Sequence, residues 1–177
     1  MNLKTIFACL LLLGTGLISY SQINFNAVFS TKGQVYYSIS MESFSIEINS
    51  AGKVIAYTAK SNEKIMYGIN NRIESIAGQK VSRDHLTRIS GIGDLKVEYD
   101  MENRIVAIGS NRLTYDFISK RLNSINKQPI EYDFLNGRVV KVASATIKYN
   151  LNGDITNIDD KDKLTSVRAL NQSGNEL

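Results

Sequence analysis

The chain has 177 residues, 43% of them hydrophobic and 21% charged, with 21 Lys+Arg against 17 Asp+Glu, a net charge of +4, one Cys and one His. That length suits a single domain, and one cysteine excludes an internal disulfide framework. The basic residues are spread along the chain rather than gathered on one stretch, so a nucleic-acid footprint is not indicated.

Residues 1–21 read as a secretory signal peptide. Lys4 supplies the charged start, residues 6–20 the apolar run, and Ser19 and Ser21 the small residues before a cut near Ser21/Gln22. The run is shorter than the about twenty residues a membrane-spanning helix needs. Cys9 lies inside it and is poorly placed for lipid attachment. Cleavage removes Cys9 and Lys4, leaving no thiol and 20 basic residues against 17 acidic, or +3. The expected location is secreted, periplasmic or cell-surface.

Residues 22–158 read as one domain of β-hairpin repeats. A weak first copy holds Phe29 with Gly33-Gln34-Val35, and a second holds Ile46-Glu47-Ile48-Asn49 followed by Gly52-Lys53-Val54. The next centres on Tyr67, with Ile65, Asn71-Arg72, Ile73 and Ile76. A degenerate copy places Arg83 in the tyrosine slot but keeps Val81, Asp84, Arg88, Ile89 and Ile92. Tyr99-Asp100, Tyr115-Asp116, Tyr132-Asp133 and Tyr149-Asn150 then recur at spacings of 16, 17 and 17, each two residues after Val97, Leu113, Ile130 or Ile147. A fixed short period means one supersecondary unit stacked many times. The step from closing to next opening apolar residue stays at five, as from Ile76 to Val81. The extra residue of the longer units falls within 117–120 and 134–137, so the first turn of each unit is the elastic one.

Alternation in Val97-Glu98-Tyr99 and its counterparts predicts a half-buried strand. The Asp or Asn that follows favours a type I turn, and Asn71, Asn103, Gly52 and Gly153 fall where a positive φ is needed. A second short strand, such as 105–108, needs a bulge, because Ile105 and Ile108 are three apart yet both apolar. Ala77, Gly93, Gly109, Asn126 and Ala143 open the second turns. Connections this short predict an all-β antiparallel meander of about 14–16 strands, curled or folded over to hide its apolar face. The opposite face, with Glu47, Glu98, Thr114, Glu131 and Lys148, is expected to be wet. Residues 159–177 leave the period and read as a polar, flexible tail. Strands of four to six residues are too short for a transmembrane barrel.

No nucleophile elbow, phosphate loop or His-Glu metal motif is present, and His85 stands alone in a turn, so catalytic, cofactor and metal sites are all read as none. The Asp column (Asp84, Asp100, Asp116, Asp133) reads as turn chemistry rather than a calcium ladder, because each turn offers one carboxylate. Two columns remain as a candidate ligand face. Tyr67, Tyr99, Tyr115, Tyr132 and Tyr149 are either core or a stacking platform for sugars. Arg72, Arg88, Arg104, Arg121 and Arg138 are either exposed ion pairs or a stripe for an anionic polymer.

The run Tyr132-Asp133 with Gly137-Arg138-Val139 resembles the YD repeats of RHS-type bacterial proteins, and the short repeats of uncharacterised secreted bacterial proteins of similar period. The resemblance implies β-hairpin architecture and an extracellular setting, and no active site. This chain departs from RHS-type chains in having too few units to enclose a domain, a shorter period and no toxin or protease region. The expectation is a non-catalytic structural or protein-interaction module of the bacterial surface or envelope. The alternative is a glycan-binding module using the Tyr or Arg column. Partners are expected to be a protein or glycan, with self-association through open sheet edges a further hazard.

Overall fold

The computed structural model describes residues 25–30, 32–60 and 62–168. The expected signal peptide and residues 169–177 lie outside the described residues. The fold is all-β, as the alternation predicts, but the strands divide between two sheets. One sheet takes β1 (Phe25–Ser30), β2 (Val35–Ser40), β3 (Phe44–Asn49), β4 (Val54–Ala59) and β17 (Thr165–Arg168), in the order β17-β1-β2-β3-β4.

The other is a twelve-stranded meander in which each strand pairs with its chain neighbour. It runs β5 (Ile65–Tyr67), β6 (Ile73–Ile76), β7 (Gln79–Arg83), β8 (Ile89–Ile92), β9 (Leu95–Tyr99) and β10 (Ile105–Ile108). It continues through β11 (Asn111–Tyr115), β12 (Leu122–Ile125), β13 (Gln128–Tyr132), β14 (Val139–Val142), β15 (Ala145–Tyr149) and β16 (Ile155–Asp159). Neither sheet closes into a barrel.

The break between sheets falls at the polar link after β4. The six-residue strands β1 to β4 fold over the shorter repeats, and one continuous apolar cluster joins the two. Phe29, Tyr37, Ile39, Ile46 and Ile48 come from the first sheet; Ile76, Ile92, Ile108, Ile125 and Val142 come from the repeats. A sheet with one apolar face needs such a cover.

Three expectations are corrected. Short connections predicted antiparallel pairing throughout, yet β17 pairs with β1 in parallel, Ala27 facing Thr165. The two strands come from opposite ends of the chain, so the whole repeat array serves as the crossover that a parallel pair requires. The tail read as flexible from residue 159 is therefore ordered through residue 168. Leu164 is buried, and its carbonyl accepts from the Ala27 N–H at 2.8 Å. Glu47 was expected on a wet face and is buried, because β3 is an inner strand where Ser38 and Ala56 flank it on either side. Glu98 and Glu131 do stay exposed, in ion pairs with Arg112 (3.2 Å) and Lys141 (2.8 Å).

The repeat chemistry is as the spacing predicts. Asn71, Asn103, Gly52 and Gly153 all have positive φ, and Thr87 and Lys120 fill the same place in their own turns. In β10, Ile105 pairs with Tyr99 and Ala107 with Glu98, so Val106 is the bulged residue that lets Ile105 and Ile108 both reach the core. The second turns also show positive φ at their first residue: Ala77, Gly93, Gly109, Asn126 and Ala143. That is the primed hairpin geometry matching the twist of the flanking strands.

Candidate functional site

The tyrosine column is a built part of the fold. Each ring reaches back to the preceding repeat, and its hydroxyl donates to the carbonyl ten residues earlier. Tyr99 bonds Ile89 O at 2.9 Å, Tyr132 bonds Leu122 O at 2.8 Å and Tyr149 bonds Val139 O at 2.7 Å. Tyr115 does the same to Ile105 O. In the degenerate copy Arg83 stands in for tyrosine, its Nη2 donating to Ile73 O at 3.0 Å. The sequence slot is thus kept by function, a donor that reaches one hairpin back. Tyr132 is also 3.3 Å from the hydroxyl of the fully buried Tyr37, which ties the two sheets together. Burial pushes the phenols of Tyr37, Tyr57, Tyr99, Tyr115 and Tyr132 up, and takes Tyr149 to about 12.

The arginine column covers the same rings. Arg88 lies over Tyr99 at 4.3 Å, Arg104 over Tyr115 at 4.5 Å, Arg121 over Tyr132 at 5.3 Å and Arg138 over Tyr149 at 5.6 Å, all within cation–π range. In the short turns Arg88 and Arg104 also pair with Asp84 and Asp100 at 2.6 Å. In the longer turns the extra residue breaks this pairing, and Arg121 instead donates to Gly137 O of the next turn at 2.8 Å. Tyr67 and Arg72, in the first repeat of the meander, are exposed. Beside them is an open depression of about 720 Å³, lined among others by Met66, Ile69, Arg72, Lys80 and Arg83.

The Asp residues do turn work. Asp100 Oδ1 accepts from the Glu102 and Arg104 N–H groups at 2.9 Å; Asp116 accepts from the Ile118 and Ser119 N–H groups, and Asp133 from those of Leu135 and Asn136. The Ser119 N–H leads in holding Asp116 below the usual carboxylate range. Desolvation opposes the shift at Asp100, but the Arg104 N–H and guanidinium prevail and its carboxyl also lies low. Among the described residues no group of three His, Cys, Asp or Glu is placed to hold a metal ion, and His85 is exposed in its turn.

The sequence reading missed a second column. In the meander, one or both of the two residues after the turn Asp or Asn carry large apolar side chains that stand in solvent. Met101, Phe117, Ile118, Phe134, Leu135 and Leu151 are 84 to 105% exposed, Ile69 is 86% exposed and Leu86 is half exposed. All belong to alternate turns of one meander, so they lie along one rim of the sheet, about 9–10 Å apart from repeat to repeat. The turns of the five-stranded sheet meet the same rim. Gly52 O accepts from the Ile105 N–H at 3.0 Å, Ser50 O from the Leu122 N–H at 2.7 Å, and Lys32 pairs with Asp154 at 2.8 Å. The signal was legible: Phe117-Ile118, Phe134-Leu135, Met101 and Leu151 hold turn positions where polar residues are usual.

No protein-family model, curated protein or solved structure matches this chain.

Proposed function

We propose that this chain is an exported, non-catalytic interaction module of the bacterial envelope or surface, and that the apolar turn rim is its contact surface. One observation carries the reading: six large apolar side chains on four successive turns are almost wholly exposed, although nothing in the turn chemistry asks for them. The Asp carboxylates already close those turns, and the rings inside the repeats are occupied by arginines and carbonyls. Exposed apolar surface on this scale marks a binding face. The hairpin repeats are then a scaffold that presents a regular comb, in keeping with the YD-like architecture and the leader read from the sequence.

Cell fractionation tests this. The wild-type chain is expected to be exported and retained with the envelope, and a Phe117→Ser/Phe134→Ser variant to be released into the soluble fraction. Equal retention of both would refute the rim as the contact surface. A second reading, glycan binding, rests on the end of the meander, where Tyr67 and Arg72 are exposed beside the open depression. A glycan array probed with wild type and Tyr67→Ala separates it from the first.

A further inference from the structure

We propose that the turn rim docks on a phospholipid bilayer, its apolar tips entering the headgroup–acyl boundary. This rests on the rim being the working surface and adds what it works on.

The first argument is geometric. Met101, Phe117, Phe134 and Leu151 each crown a separate hairpin, and exposures of 84 to 105% mean that these tips project from the protein rather than line a groove. Neighbouring tips are about 9–10 Å apart, twice the strand spacing. A protein partner needs a close-packed, continuous apolar centre. A comb with gaps of that width suits a fluid partner that fills the spaces itself, as lipid does around interfacial side chains.

The second argument comes from comparing the repeats with one another. The Tyr and Asp positions are held closely because geometry requires them. At the first tip position of the four successive turns the residue wanders among Met101, Phe117, Phe134 and Leu151 while remaining apolar. What is kept is the transfer free energy and not the shape, which is the selectivity of a hydrocarbon phase.

The third argument is charge. The turn carboxylates that would repel phosphate are offset in part: Asp84 and Asp100 pair with Arg88 and Arg104, Glu102 with Lys120 at 3.2 Å and Asp154 with Lys32 at 2.8 Å, while Asp116 and Asp133 are held by backbone N–H groups instead. Lys120 lies 4.7 Å over the Phe117 ring, and Lys53 Nζ rests on the Glu102 and Asn103 carbonyls, so two ammonium groups stand at the level of the tips. Arg121 and Arg138 stand in the same turns as Asp116 and Asp133, so the rim presents no net negative charge to the headgroups.

The test uses the chain from residue 22 on, which contains every described strand and omits the apolar leader. It is mixed with vesicles of phosphatidylcholine, with and without phosphatidylglycerol, and sedimented. Wild type is expected to co-sediment, and Phe117→Ser/Phe134→Ser to lose about 10- to 100-fold in partitioning. A Thr146→Ser change in β15, away from the tips, is expected to leave partitioning unchanged. Denaturant unfolding of each variant shows that folding is kept. Wild type remaining in the supernatant with both lipids, or the double variant binding as wild type does, would overturn the proposal. A dimer that dissociates in the double variant, without vesicle binding, would overturn it too, while leaving the rim as a contact surface between copies.

Discussion

Removing the tyrosine hydroxyls one at a time tests whether the column is part of the scaffold. A Tyr→Phe change keeps the ring and its apolar burial and deletes only the donor. For Tyr115 and Tyr132 the orphaned acceptors are the carbonyls of Ile105 and Leu122, residues with 0% exposure. A net hydrogen bond contributes about 0.5–1.5 kcal/mol, and a buried acceptor left unpaired costs about 1–3 kcal/mol. Each of these two changes is therefore expected to cost about 1.5–2 kcal/mol. Tyr132 stands at the upper end because its oxygen also faces Tyr37. Tyr99 and Tyr149 use the same geometry on Ile89 and Val139. Sites this far apart add, so the fourfold variant should lose about 6–8 kcal/mol, much of the about 5–15 kcal/mol a domain possesses. Equilibrium urea unfolding reads this as a falling midpoint at constant slope. Tyr67→Phe, on the exposed first rung, is the internal control and should barely move it. Four changes each costing under about 0.3 kcal/mol would refute the structural role of the hydroxyls.

Other outcomes follow from the same contacts. Gly52→Ala should destabilise by about 2–3 kcal/mol: its φ is +72°, and an added Cβ would overlap the Tyr115 hydroxyl; thermal melting checks this. Ile105→Ala, at a fully buried position, should cost about 2–5 kcal/mol in denaturant titration. Stability should also fall in alkali. The phenol of Tyr149 is raised to about 12 by burial, and neutral phenol is the folded form. Its contribution is thus complete below the unfolded value near 10 and lost as pH rises through about 12; absorbance of tyrosinate against circular dichroism should show ionisation and unfolding together. At the acid end, Asp84, Asp100, Asp116 and Asp154 all have lowered pKa values, so their contribution is present above about pH 4 and lost as pH falls through the folded values. High-field NMR of the side-chain carboxyls reads those values directly.

The repeat was legible because its markers obey local rules. Positive φ at Asn103 and Gly153 follows from turn chemistry, and the Val106 bulge follows from two isoleucines three apart. The partition into two sheets was not legible, because it depends on pairing between strands far apart in sequence. Nothing local in Thr165-Ser166-Val167 announces a parallel partner at Ala27-Val28-Phe29. Glu47 shares its pattern with Glu98 and Glu131 and differs only in which strands flank it. For the tyrosines the sequence held core and ligand platform open. The structure gives a half-buried ring, roofed by an arginine and anchored by its hydroxyl, which no alternation pattern contains. The apolar tips were plain in the sequence, but they lie outside the strand positions from which the repeat is read.

The division of labour between two columns, rings that hold the fold and tips that meet a partner, is the central claim. Denaturant midpoints of Phe117→Ser/Phe134→Ser and Tyr115→Phe/Tyr132→Phe, measured side by side, test it most directly. The account expects the tip variant to unfold within about 0.5 kcal/mol of wild type, and the hydroxyl variant about 3–4 kcal/mol earlier. The reverse ranking, with the tip variant unfolding first, would contradict it.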